Sequence, residues 1–177
     1  PQYFGRFESD NWNQFDCTVR QRRVVLDAPT FVTTGVDKEQ TSQHYDIIIG
    51  DDLVGPQNVG TQEQRNKVFE YYLSLFDLLE PGGTLVIPGT RYHQDDLYAR
   101  ILEEAEVQKN WDVFFRAAYN EDGTVLFPQK FTSEQLSEIR NKPRGAYHFA
   151  SQYLNNPIDP ESADFREGWI KYYEVGT

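Results

Sequence analysis

Apolar positions along the chain follow two periods, and the change from one to the other marks out the elements. Thr18 to Leu26 and Thr30 to Val36 are rich in Val, Thr and Phe and read as strands, separated by the turn-prone Asp27-Ala28-Pro29. Tyr45-Asp46-Ile47-Ile48-Ile49-Gly50 has the continuous apolar run expected of a parallel strand buried on both faces. From Thr61 to Glu80, the residues Val68, Phe69, Tyr72, Leu73, Phe76 and Leu79 recur at helical spacing, so a long amphipathic helix is predicted, stopped by Pro81-Gly82-Gly83. Thr84-Leu85-Val86-Ile87 is a second short buried strand. Asp95 to Glu106 is the next helix, with Leu97, Ile101 and Leu102 inward and Asp95 placed as its N-cap. Trp111 to Ala117 reads as a further strand. Thr132-Ser133-Glu134-Gln135 has the capping-box form and opens a helix ending near Pro143, and Tyr147, Ala150, Ser151 and Leu154 suggest a last one. Asn120-Glu121-Asp122-Gly123 and Asn155-Asn156-Pro157 punctuate the chain, and beyond Pro157 an irregular exit is expected, with Trp169 and Ile170 pinned to the core.

Strand, helix, strand, helix, strand is the order of an α/β domain with a mainly parallel sheet. A length of 177 residues with 38% hydrophobic content accommodates one domain with a core. No apolar run approaches the roughly 20 residues of a membrane span, and Pro1-Gln2-Tyr3-Phe4-Gly5-Arg6 lacks the plan of a signal peptide, so a soluble protein without a membrane partner is expected. A formal charge of −11 argues against this surface gripping a nucleic-acid backbone, because that affinity comes from Lys and Arg neutralising phosphates. Cys17 stands alone, and no Cys/His cluster has zinc-ligand spacing. The chain contains no methionine, from which a natural start upstream is expected.

In open α/β sheets ligands bind beyond the carboxyl ends of the strands. Two strands deliver polar groups there: Gly50-Asp51-Asp52 after the first, and Pro88-Gly89-Thr90-Arg91 after the second. An apolar strand ending in adjacent acids suits phosphate-anhydride hydrolysis, in which one carboxylate holds magnesium through water and the next orients or deprotonates the attacking water. Asp51 is cast as the metal partner and Asp52 as the base. The plain alternative is two acids that end a strand and begin a turn. Thr90 is placed to sense a γ-phosphate and relay its presence, and Arg91 to pair with phosphate, with Asp51 or Asp52, or to bridge structural acids. His93, Asp95 and Asp96 invite a metal reading, against which stands the N-cap role of Asp95. Arg20, Arg22, Arg23 and Lys38 are the candidates for an arginine finger or its lysine counterpart, and equally for a solvated face. Trp12 and Trp111 read as core anchors, and Cys17 has no nearby histidine to activate it.

The order of these segments resembles the terminase large subunits of tailed bacteriophages. The resemblance covers Pro29-Thr30-Phe31 with Thr34-Gly35-Val36, then Tyr45 to Val54, which is similar to that family's Walker B segment. It continues with Gly82 to His93 and Asp96-Leu97, similar to its following strand and coupling motif, and with Phe149 to Pro157, similar to its closing segment before the nuclease. It implies an ASCE-type P-loop NTPase-like three-layer domain, incomplete at its N-terminal side. Residues 1–157 would be the C-terminal part of the ATPase domain, and 158–177 an exit toward a nuclease domain. It further implies ATP with magnesium as the cofactor pair and packaging of double-stranded DNA in the host cytoplasm. The protein would form a homo-oligomeric ring with the portal protein and a small terminase subunit as partners. Asp51 and Asp52 inherit the Walker B and catalytic-carboxylate roles, Thr90 the coupling role, and Arg91 a weaker one. The phosphate-gripping G-x-x-x-x-G-K-[ST] loop occurs nowhere in the chain, nor does the nuclease's acidic cluster; Ser42-Gln43-His44 stands where relatives often carry Gly-x-Arg. Another P-loop motor such as a helicase, and a non-catalytic interaction module, are the alternatives.

Overall fold

The computed structural model describes residues 5–26, 28–36, 43–143 and 145–157. Lys38, Ser42, Trp169, Ile170 and the whole exit segment after residue 157 lie outside them. The protein is mixed α/β, with four helices and two two-stranded sheets, one antiparallel and one parallel, among the described residues. The chain forms two compact units, one of residues 1–48 and 73–85 and the other of residues 49–72 and 86–177.

In the first unit, β1 (Asp16–Cys17) pairs antiparallel with β2 (Phe31–Val32), placing Asp16 opposite Val32 and Cys17 opposite Phe31. The predicted strands at Thr18–Leu26 and Thr30–Val36 thus shrink to two residues each. Side chains take over the backbone groups there: the Val19 N–H donates to Thr30 Oγ1 at 3.1 Å, and Arg22 Nη1 donates to the Ala28 carbonyl at 2.6 Å. This leaves Val24, Val25 and Leu26 exposed and commits Arg22 to its own loop. Trp12 is exposed as well, so it is no core anchor.

The second sheet joins β3 (Tyr45–Ile49) to β4 (Leu79–Val86). The connection between them, α1 (Gln62–Asp77), ends three residues earlier than its apolar period predicts. Leu79 and Glu80 enter β4 instead, and Pro81 is accommodated because β4 has one neighbour among the described residues and a strand side without a partner needs no N–H. Gly83 makes the close approach possible: a Cβ there would lie 2.9 Å from the backbone carbonyl oxygens of Asp46 and Glu80. Burial of β3 on both faces is not realised. Ile47 is 63% exposed and Ile49 65%, and burial of a sheet face needs an element packed over it, not only a neighbouring strand.

The second unit holds most of the buried side chains. α2 (Leu97–Gln108) buries Leu97, Tyr98, Ile101 and Ala105. Its N-cap is Asp96 rather than Asp95, with the Ala99 N–H donating to Asp96 Oδ1 at 2.9 Å. α3 (Ser133–Arg140) carries the predicted capping box: the Gln135 N–H donates to Thr132 Oγ1 and the Thr132 N–H to Gln135 Oε1. α3 packs against α4 (Gly145–Gln152), where Leu136 and Phe149 are buried and Phe149 stacks on Tyr153 with ring centroids 5.1 Å apart. The predicted strand at Trp111–Ala117 is irregular, with Phe114 80% exposed. An apolar run forms a strand only where a neighbour accepts its backbone hydrogen bonds, and among the described residues no such ladder forms here. Trp111 instead lies 6.4 Å from Tyr72, centroid to centroid, as the expected anchor. No helix of the described residues is long and apolar enough to cross a membrane.

Candidate functional site

Within the second unit, the residues that follow β3 and β4 in sequence lie side by side. The Gly50 N–H donates to the Val86 carbonyl at 2.9 Å, and the Asp52 N–H to the Pro88 carbonyl at 3.1 Å, so backbone pairing reaches past the strands to Asp52 and Pro88. These bonds bring Asp51 and Asp52 beside Pro88-Gly89-Thr90, the juxtaposition expected from the sequence. Asp52 has φ of +46°, a left-handed conformation that aspartate tolerates better than most residues, and it turns the chain away from the sheet. Both carboxylates are exposed, and neither forms a hydrogen bond or ion pair with another described residue. Exposed carboxylate oxygens of this kind suit a hydrated magnesium ion, which keeps several waters and takes one or two carboxylates. They fit the carboxylate side of such a site, while the phosphate side needs donors that this pair does not supply.

Arg91 does not pair with the acid pair. Its Nε donates to Asp96 at 2.8 Å (Oδ1) and 3.1 Å (Oδ2), and its Nη2 to the His93 carbonyl at 3.2 Å. Asp96 is completely buried, at 0% exposed, and also accepts from the backbone N–H groups of Tyr92, His93 and Ala99 at 2.9, 3.0 and 2.9 Å. A buried carboxylate this fully bonded fixes the loop between β4 and α2. Of the readings open for Arg91, the bridge to a structural acid is the one formed.

Asp95 organises the N-termini of α1 and α2. It accepts from Arg65 Nε at 3.3 Å and Arg100 Nε at 3.1 Å; the Arg100 hydrogen bond, foremost, holds its carboxyl down at about 2. Arg100 also lies over the Phe69 ring, 5.0 Å from its centroid. His93 Nδ1 accepts from the Asp95 N–H at 3.0 Å, and burial, followed by nearby Arg65, pushes its pKa down. His93, Asp95 and Asp96 are therefore engaged structurally, and no group of three or more His, Cys, Asp or Glu among the described residues is arranged to hold a metal.

Two participants escaped the sequence reading. Tyr98 Oη donates to the Pro88 carbonyl at 3.2 Å, and burial, with a smaller contribution from Asp52, pushes the phenol up to about 12. Gly89 lies so close that a Cβ would meet Tyr98 Oη at 1.8 Å. The second is α4, which grips the segment after β4. Thr90 Oγ1 and Tyr92 Oη both donate to Gln152 Oε1, at 3.0 and 3.2 Å. Ser151 Oγ donates to the Arg91 carbonyl and Tyr147 Oη to that of Tyr92, while the Arg91 N–H donates to Asn155 Oδ1 at 3.3 Å. Beside this segment lies a cavity of about 150 Å³, lined by Ile87, Gly89, Tyr98, Ile101 and Trp111 among others. Partners some sixty residues apart cannot be matched from one sequence.

No known protein family's sequence profile matches the chain, and no curated protein matches it.

Proposed function

We propose that the chain is part of an ATP-driven motor of the terminase large subunit kind, which hydrolyses ATP with magnesium and moves double-stranded DNA into a procapsid. The observation that carries this reading is the joined exit of the two parallel strands, where the Asp52 N–H bonded to Pro88 sets an exposed acid pair beside Thr90. Asp51 would hold the magnesium ion through water, and Asp52 would orient the attacking water and take its proton. A magnesium ion held there would supply charge neutralisation of the phosphates. Thr90 would donate its hydroxyl proton to the γ-phosphate. Arg91 serves by holding this loop against Asp96.

The reading requires a phosphate-binding loop, and it assigns that loop to a preceding segment of the same polypeptide. It assigns the nuclease to a following one and the DNA contact to another part of the protein, in keeping with the charge of −11. The helices packed on the sheet of an ASCE-type domain would then cover the exposed Ile47 and Ile49. The same exposed apolar face favours the second reading, a non-catalytic interaction module in which Asp51 and Asp52 only turn the chain.

Reading the gene on both sides of this segment and assaying the encoded protein separates the two. The motor reading predicts an upstream G-x-x-x-x-G-K-[ST] loop and magnesium-dependent ATP turnover that Asp52→Asn lowers by at least about a hundredfold with the fold intact. A complete reading frame without such a loop, or full turnover in Asp52→Asn, would leave the module.

A further inference from the structure

We infer that Gln152 is a positioning residue that competes with the nucleotide for the Thr90 hydroxyl proton, which makes α4 the element that responds to the γ-phosphate; this rests on the ATPase reading above. The hydrogen-bond inventory fixes the geometry. Ser151 is buried, and the single proton of its hydroxyl goes to the Arg91 carbonyl. Ser151 Oγ can therefore only accept from Gln152 Nε2, which lies 3.3 Å away. That orients the Gln152 amide with nitrogen toward Ser151 and oxygen toward the hydroxyls of Thr90 and Tyr92, at 3.0 and 3.2 Å.

Thr90 also has one hydroxyl proton, and in this arrangement it is given to α4. A phosphate oxygen arriving at Thr90 is a competing acceptor for the same proton. One acceptor is gained only as the other is released, and Gln152 Oε1 then keeps Tyr92 alone. The remaining ties to this segment, through Ser151 and Tyr147 of α4 and Asn155 just after it, hold backbone groups of Arg91 and Tyr92 rather than the Thr90 side chain. Phosphate engagement thus changes one bond in a junction whose other bonds persist. This is the condition for a small local exchange to bias how the whole of α4 is held.

The test uses the full-length protein and measures equilibrium affinity for a non-hydrolysable ATP analogue and for ADP, both with magnesium. Gln152→Leu removes the competing acceptor and is expected to tighten the analogue about threefold to tenfold relative to ADP, the span of one neutral hydrogen bond's net worth. Gln152→Glu supplies a stronger, charged acceptor and is expected to weaken the analogue relative to ADP. In a Thr90→Val background, neither substitution should change the ratio. A residue that only packs the structure moves analogue and ADP together and cannot give opposite signs for Leu and Glu. If Gln152→Leu does not fold, Gln152→Glu with and without Thr90→Val carries the test. An unchanged ratio in both variants, or the same change in the Thr90→Val background, overturns the role of Gln152. Asp52-dependent ATP turnover measured alongside then shows whether the ATPase reading stands. Loss of that turnover in the unmodified protein would overturn both.

Discussion

Replacing Asp96 by alanine removes the acceptor on which the loop between β4 and α2 is built. The carboxylate is completely buried and receives Arg91 Nε as well as the backbone N–H groups of Tyr92, His93 and Ala99. Losing a helix N-cap alone costs about 1 kcal/mol. The larger effect comes from the Arg91 side chain, 15% exposed, which is left charged without its partner, a change that typically costs about 3–5 kcal/mol. The two overlap in the same atoms, so about 3–5 kcal/mol is the expected total rather than their sum. With a urea m-value of about 2 kcal/mol/M, the midpoint should fall by about 1.5–2.5 M. The assay is urea unfolding followed by tryptophan fluorescence. Trp111, close to Tyr72 in the unit that contains Asp96, is one reporter. A companion variant sharpens it: Arg91→Leu combined with Asp96→Asn removes both charges while asparagine still caps α2, and it should recover at least half of the loss seen with Asp96→Ala. A loss below about 1 kcal/mol for Asp96→Ala, or no recovery in the double variant, would refute the view that this buried pair holds the loop.

Three further outcomes follow from the same structure. Gly89→Ala should destabilise by about 1–3 kcal/mol in the same assay, because the new Cβ would sit 1.8 Å from Tyr98 Oη and 2.2 Å from its Cζ; Tyr98→Phe, which keeps Cζ, should not relieve it. Thr132→Ala should cost about 1 kcal/mol by urea unfolding and remove protection from hydrogen exchange at the Gln135 amide, since that N–H loses its Thr132 Oγ1 acceptor while alanine keeps the N–H that donates to Gln135 Oε1. The pH dependence should have two distinct limbs. Asp95 is held down at about 2 against an ordinary 3.8, so its contribution is complete above pH 3.8 and disappears as pH falls toward 2. Tyr98 is pushed up to about 12 against an ordinary 10.0, so its contribution is complete below pH 10 and is lost as pH rises toward 12. Asp95→Asn should flatten the acid limb and Tyr98→Phe the alkaline one in thermal melts across the two ranges.

Features governed by near neighbours along the chain were legible in the amino-acid order. The capping box of α3 is a relation between Thr132 and Gln135, three positions apart, and it forms as expected because both partners are held within one helical turn. The turn at Asn120 to Gly123 is similarly local: the Asn120 N–H donates to the Thr124 carbonyl, and Gly123 takes φ of +80°. Apolar period placed α1, α2 and α4 and the capping-box form placed α3, and the rule that ligands gather at strand ends brought Asp51, Asp52 and Thr90 into one view. Boundaries were decided otherwise. Pro81 and the glycines after it looked like a helix stop, yet β4 begins at Leu79, because a backbone partner in β3 offers Leu79 and Glu80 hydrogen bonds that compete with another helical turn. Ile47 and Ile49 carry the pattern of a doubly buried strand, but burial depends on what packs over a face, and no periodicity encodes that. The roles of Arg91, Asp96 and Gln152 rest on contacts as well. Asp96, which caps α2, also accepts from Arg91, and Gln152 meets Thr90 across sixty-two positions of sequence. Short-range hydrogen-bond and steric preferences act on neighbouring residues and can be read in order. Pairing between distant segments depends on the relative placement of whole elements, which is fixed only when the chain closes on itself.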